Sequence, residues 1–261
     1  MINRENDNDG TIDPTSYRTY FEQYYVITPF FKALTEERTD TELKELNSLC
    51  QFDSDDLILD LGCGQGRHCI GLAKTDQTII GLDYSPTMLA LAQNKNRHRK
   101  LTIPYVRGDM NRLPFTDDSF SWVLSLFGSF GYHDDNNNIR VITEIHRVLK
   151  PDGQLLLDIW NKDKATRLHG NRQRHPLSKT EHVTQSFLYS TKTKRMTIKR
   201  LFELQDNNKE LTISFRVYSQ TEITDVLTDA GFTVRAIHGG YDQTKFTADS
   251  RNMVVVGVKK T

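Results

Sequence analysis

The sequence predicts a doubly wound α/β domain with an antiparallel hairpin inserted after its fifth strand. Short apolar runs alternate with segments of helical period between residues 57 and 160, and a glycine-rich turn follows the first run. Runs of that kind, bounded by acidic residues and glycine, suit strands buried on both faces of a parallel sheet. Farther on, Leu211, Ile213, Phe215 and Val217 alternate strictly, the signature of an antiparallel strand with one covered face. A length of 261 residues suffices for one large α/β domain whose core needs no covalent staples.

The elements follow in order. Residues 1–14 are rich in Asn and Asp with almost nothing apolar to bury, so they are expected to be disordered. Residues 15–50 are expected to form a helical lid. They comprise the aromatic-dense SYRTYFEQYYVITPFF and a helix over 40–49 with Leu43, Leu46 and Leu49 on one face. Strands are expected at 57–61, 78–83, 103–109, 121–127 and 154–160, with helices over 66–74, from Ser85–Pro86 onward, and over 138–149. Lys150, Pro151, Asp152 and Gly153 read as a turn. Within an insertion over 162–220, the runs 195–204 and 209–219 flank a QDNN turn and form the hairpin. A helix over 221–230 stops at Gly231, and two closing strands end the chain. The whole of 15–261 reads as one domain.

Charge narrows the classes. Thirty-four Lys and Arg balance thirty-four Asp and Glu, which excludes a generic polycation and an acidic tail protein. No apolar run approaches the roughly 20 residues of a membrane span, and the polar start MINRENDNDG lacks a secretory h-region, so a cytoplasmic protein is expected. The odd set Cys50, Cys63 and Cys69 points to reduced thiols, and no metal is expected there.

The strongest chemical signal is LDLGCGQGRH, residues 59–68. Gly62, Cys63, Gly64, Gln65 and Gly66 follow the first strand, and glycines there let backbone turn sharply and lie against a ligand. Arg67 stands where a dinucleotide fingerprint needs its third glycine, and no Gly-Lys-Ser/Thr follows, so pyrophosphate and triphosphate sites are both disfavoured. Asp83 ends the second strand 17 residues after Gly66, where a carboxylate accepts from two ribose hydroxyls. Asp109 closes the third strand and is suited to an adenine amino group, with Met110 adding its N–H and apolar contact. Leu126 and Phe127 wall the crevice. Three strand ends thus converge on one nucleoside-shaped ligand.

This constellation resembles the class I S-adenosylmethionine-dependent methyltransferases with their Rossmann-like sheet, over nearly the whole chain from Tyr17. Within that superfamily it is similar to the small-molecule branch reading ERT (Glu37, Arg38, Thr39), GCGxGRH (62–68), GDM (108–110) and SFGY (129–132). The resemblance implies S-adenosyl-L-methionine as cofactor. It places Gly62, Cys63, Gly64 and Gly66 under the methionine part, Asp83 on the ribose, Asp109 and Met110 on the adenine, and Tyr84, Met88 and Leu126 beside them. Pro151–Asp152–Gly153 departs from the commoner Pro-Gly-Gly. Arg38 would pair with the methionine carboxylate; an exposed helical arginine is the competing reading.

A sulfonium methyl is a strong electrophile, so the protein must align a nucleophile and exclude water, with a base only for a protonated acceptor. His133 is the candidate base, against a merely solvated loop histidine. Tyr25, with Tyr17 and Tyr24, is a candidate to close over the acceptor, against simple aromatic packing. His133, Asp134, Asp135 and Asn136 resemble a hard-cation set, but the same residues suit a helix cap. The expected acceptor is a small-molecule oxygen or nitrogen. Basic clusters at 95–100, 167–175 and 192–200 keep a tRNA or rRNA substrate as an alternative, and a non-catalytic nucleoside-binding module is a second. Nothing in the sequence sets an oligomeric state.

Overall fold

A computed structural model describes residues 16–261, so the disorder expected of residues 1–14 lies outside the described residues. Its first sheet is built from β1 (Leu57–Leu61), β2 (Thr78–Asp83), β3 (Tyr105–Arg107), β4 (Phe120–Ser125) and β5 (Leu149–Trp160). The second comprises β6 (Arg172–Pro176), β7 (His182–Ser190), β8 (Arg195–Glu203) and β9 (Asn208–Arg216). The closing strands β10 (Phe232–His238) and β11 (Asn252–Lys259) return to the first sheet, whose order is β10-β11-β5-β4-β1-β2-β3. β1 to β5 pair in parallel, whereas β11 runs antiparallel to β5 and to β10. The order reverses between β1 and β4. The crevice beyond the carboxyl ends of strands at such a switch point is where open α/β sheets hold ligands.

Burial on both faces explains the strands. Ile58, Leu59, Val123, Leu124, Leu155 and Leu156 are each fully buried. Apolar side chains on the two faces form separate core clusters, one under the helix Asp135–Val148 and the other under Glu36–Cys50 and Arg67–Ala73.

Several boundaries move. The helix expected over 40–49 runs Glu36–Cys50, because the Thr35 side chain caps it by accepting from Arg38 N. The third strand shrinks to three residues. The turn expected at 150–153 is instead a bulged start of β5. Leu149 already pairs with Phe120, and a register shift with Asp152 at φ +62° absorbs the extra residues.

The insertion is larger than the expected hairpin: four antiparallel strands, β6-β7-β8-β9. Leu211, Ile213 and Phe215 do face its covered side, together with Val183, Phe187, Met196, Ile198 and Phe202. Against that side lies the N-terminal segment, helical in short pieces: Ser16–Thr19, a π turn Tyr20–Tyr24, a 3-10 turn Tyr25–Ile27, and Pro29–Lys32. Among the described residues, no helix is long and apolar enough to cross a membrane.

Candidate active site

The glycine turn is pinned to the neighbouring strand. Gly62 N and Cys63 N both donate to Leu82 O, at 2.8 and 3.0 Å. Gly64 N donates to Asp83 Oδ2 at 2.8 Å, and Ser85 N donates to Oδ1 at 2.8 Å. Asp83 is therefore oriented by backbone before any ligand arrives. Burial pushes its pKa up, and the backbone N–H groups oppose that.

The three glycines differ. All have positive φ, +82°, +55° and +71°. A Cβ on Gly62 would meet Ser129 at 2.8 Å, and one on Gly66 would run into the Tyr105 hydroxyl. One on Gly64 would meet nothing within 4 Å. Gly64 thus presents bare backbone to the cavity it lines.

That cavity is walled by the glycine turn, by Asp83, Tyr84, Met88 and Met110, and by the residues after β4, Leu126 to Ser129. The expected set Gly62, Cys63, Gly64, Asp83, Tyr84, Met88, Met110 and Leu126 is brought together there. Gly66 does not line the cavity; it lets the next helix start close under Tyr105 and Ala92. Asp109 stands just behind the lining. Its Oδ1 accepts from Asn111 N and Nδ2 at 2.9 and 3.0 Å, and its Oδ2 accepts from Arg18 Nη2 at 3.0 Å. Burial raises its pKa, but the Asn111 hydrogen bonds and the Arg18 charge outweigh burial and hold it low.

The N-terminal segment closes the opposite side with Tyr17, Arg18, Phe21, Tyr25 and Phe31. Burial pushes the Tyr25 phenol up to about 12, so it stays protonated. Tyr24 lies elsewhere, its ring 4.8 Å from that of Phe202 in the second sheet. No residue of the second sheet lines the cavity; the expected covering by 162–220 is indirect, through the N-terminal segment packed on it.

Arg38 and His133 stand outside the lining. Arg38 Nε donates to Glu42 Oε1 at 2.9 Å, and its guanidinium lies 4.9 Å from the Phe127 ring centroid. Arg67, which the motif reading passed over, does line the cavity. It pairs with Glu42 through Nη1, while Nη2 is buried with no partner. His68 Nε2 lies 3.1 Å from the same carboxylate. Burial alone would raise Glu42, but the His68 hydrogen bond, the Arg67 charge and the Arg38 hydrogen bond hold it at about 2. Burial pushes His68 down to about 4.

His133 Nε2 sits 3.0 Å from Asn111 Nδ2. An amide NH₂ can only donate, so that ring nitrogen accepts, and its lone pair is already engaged. Tyr132 lines the cavity, and the next residue, His133, does not. The adjacent Asp134 caps the helix Asp135–Val148 by accepting from Asn137 N at 2.8 Å. Among the described residues no group of three His, Cys, Asp or Glu is arranged to hold a metal. Some cations of each basic cluster pair with carboxylates: Arg99 with Glu36, Arg167 with Asp249, Arg174 with Glu203 and Lys194 with Glu222.

Strand order and crevice are those of a Rossmann-like fold that solved S-adenosylmethionine-dependent methyltransferases share. An S-adenosylmethionine-dependent methyltransferase from Clostridium acetobutylicum superposes with a TM-score of 0.77 at 16% identity, covering 94% of this chain and 99% of that one. The CcbJ methyltransferase of Streptomyces caelestis gives 0.80 at 18%, covering 95% and 100%. Residues 58–153 match the family model described as "Methyltransferase domain". A demethylmenaquinone methyltransferase of Lactobacillus johnsonii is 43% identical over 105 residues, 38% of this chain; the chain spans 42% of that relative's length.

The residues fit the cofactor that this fold implies. Gly64 leaves open space over the turn, Asp83 is a fixed carboxylate at the end of β2, and Arg67 carries a buried N–H without a partner.

Proposed function

We propose that this protein transfers a methyl group from S-adenosylmethionine to an oxygen or nitrogen of a small molecule. The observation that carries the reading is the Gly64–Asp83 pair: a backbone face open to the cavity, tied by its own N–H to a carboxylate suited to vicinal hydroxyls. In this reading Gly62, Cys63 and Gly64 lie under the methionine part and Asp83 takes the ribose. Asp109 and Met110 take the adenine, with Tyr84, Met88 and Leu126 as walls. Of the two guanidiniums beside Phe127, Arg67 carries the partnerless N–H that suits the methionine carboxylate.

S-adenosylmethionine, when bound, supplies a methyl group on a positively charged sulfur. The chain's own task is then alignment and exclusion of water. Tyr17, Phe21, Tyr25 and Phe31 cover the cavity with rings, and the engaged lone pair of His133 leaves it poorly suited to the base role. Tyr25, neutral and lining the cavity, is suited to orient an acceptor by its hydroxyl. A small-molecule acceptor is supported by the relative whose name gives demethylmenaquinone as substrate.

Calorimetric titration with S-adenosylhomocysteine tests the reading. One saturable site is expected, weakened at least about tenfold by Asp83→Ala, which removes hydrogen bonds to a charged acceptor. Absence of binding, or unchanged affinity in the variant, overturns it.

A further inference from the structure

The covered face of the second sheet holds one residue that its packing does not explain. On β8 the inward side chains are Met196, Ile198, Arg200 and Phe202, and Arg200 is only 8% exposed. Its Nε and Nη1 are buried without a hydrogen-bond partner. The guanidinium lies 4.2 Å from the Tyr20 ring centroid and 5.9 Å from that of Phe30. Neighbouring arginines are anchored: Arg216, also 8% exposed and with its own Nε unbonded, has a counter-charge in Glu222 at 2.9 Å, and Arg195 donates to the carbonyls of Gly131, Tyr132, His133 and Ser214. A buried cation without a counter-charge is costly, and ring faces compensate only part of that cost.

Arg200 stands one layer behind the cavity. Tyr25 and Tyr132 both line it, and burial raises both phenols while the Arg200 charge opposes the rise. Both therefore present O–H groups. Two neutral phenols thus lie within the field of a guanidinium that keeps two unpartnered N–H groups among aromatic rings, a chemistry suited to a flat molecule bearing negative oxygen.

We propose that Arg200 is the counter-charge for an anionic methyl acceptor, a small aromatic molecule whose carboxylate or ionised oxygen enters between the N-terminal segment and the second sheet. The proposal deepens the methyl-transfer reading and rests on it for the purpose of the ligand.

The test uses the full chain and a matched pair of probes, 4-hydroxybenzoate and its neutral amide 4-hydroxybenzamide, titrated by ligand-detected NMR with and without saturating S-adenosylhomocysteine. The carboxylate is expected to bind about tenfold or more tightly than the amide, the worth of a charged hydrogen-bonded pair. Arg200→Met should erase that preference while S-adenosylhomocysteine affinity stays within about twofold, and Arg200→Lys should keep part of it. Removing an uncompensated charge should also raise the Tm of the ligand-free Arg200→Met protein; a purely structural cation over Tyr20 would lower it. Equal affinity for the two probes, binding of neither, a preference surviving Arg200→Met, or a lowered Tm overturns the proposal. Failure of the wild type to bind S-adenosylhomocysteine overturns the cofactor reading instead, and the titration without it still reports on Arg200.

Discussion

Arg18 Nη2 lies 3.0 Å from Asp109 Oδ2, with its guanidinium 3.9 Å from the centroid of the Tyr84 ring. A planar donor thus lies over the ring of the residue after Asp83, the carboxylate proposed for the ribose, and pairs with Asp109, the carboxylate proposed for the adenine amino group. An adenine ring would make the same two contacts. In the proposed reading the N-terminal segment and the cofactor therefore draw on one acceptor.

Arg18→Ala is expected to strengthen S-adenosylhomocysteine binding by about two- to fivefold. The pair is partly exposed, 26% and 38%, so releasing it frees no more than a surface ion pair is worth, under about 1 kcal/mol. Calorimetry decides the sign. Weaker binding would mean that Arg18 clamps the cofactor and does not compete with it.

Gly64→Ala and Gly66→Ala should separate binding from stability. Both positions are left-handed, so each variant pays about 1–2 kcal/mol for the backbone. Beyond that, Gly66→Ala drives a methyl into Tyr105 and Ala92 and should lower the urea midpoint clearly further. The new methyl of Gly64→Ala faces open space over the cavity, so stability falls less while S-adenosylhomocysteine affinity drops about tenfold or more. Equal midpoints in the two variants would contradict the distinction.

Much of the central sheet is legible because parallel strands bury both faces, so LILDL and TIIGLD are continuous apolar runs punctuated by Asp and Gly. The same punctuation exposes Asp83 and the glycine turn. β6, RQRHP, carries no large apolar side chain to mark it, and in β7 Thr184 and Gln185 are adjacent yet both buried, so no clean period of two survives. Arg67 was legible only as a missing third glycine; its place at the start of the helix after the turn was the signal for a cavity-side guanidinium. His133 stands outside the lining although its neighbour Tyr132 lines the cavity, and no local pattern tells the two apart.

The cluster around Glu42 makes stability fall in acid. Burial holds His68 at about 4, below the roughly 6.5 of an unfolded imidazole, so between those values the unfolded chain takes up a proton the native state refuses. Stability is therefore lost as pH falls from about 6.5 to 4, at up to about 1.4 kcal/mol per pH unit. Glu42, held at about 2, extends the loss below the ordinary carboxylate range near 4.3. Urea unfolding at pH 7 and pH 5 should show His68→Gln losing less on acidification than the wild type. Parallel losses would remove His68 from the account.

Asp158 sets the last expectation. It is 1% exposed in β5, where its Oδ2 accepts from Tyr241 Oη at 2.5 Å and from Phe127 N at 2.9 Å, while Oδ1 accepts from Asn252 Nδ2 at 2.6 Å. Through the Phe127 contact it holds that residue at φ +58°, where its ring walls the cavity. Burial pushes the Asp158 pKa up, and these donors are what keep the ionised form tolerable. Tyr241→Phe removes one of them without changing the ring's volume, so it should cost about 1.5–3 kcal/mol, the worth of a hydrogen bond to a charged group. The sign of its pH dependence follows. Loss of a donor penalises the carboxylate and spares the protonated acid, so the variant's deficit should be larger at pH 8 than at pH 5. Urea denaturation at the two pH values measures it, and a deficit that grows on acidification would show that Tyr241 does not stabilise the charged form of Asp158.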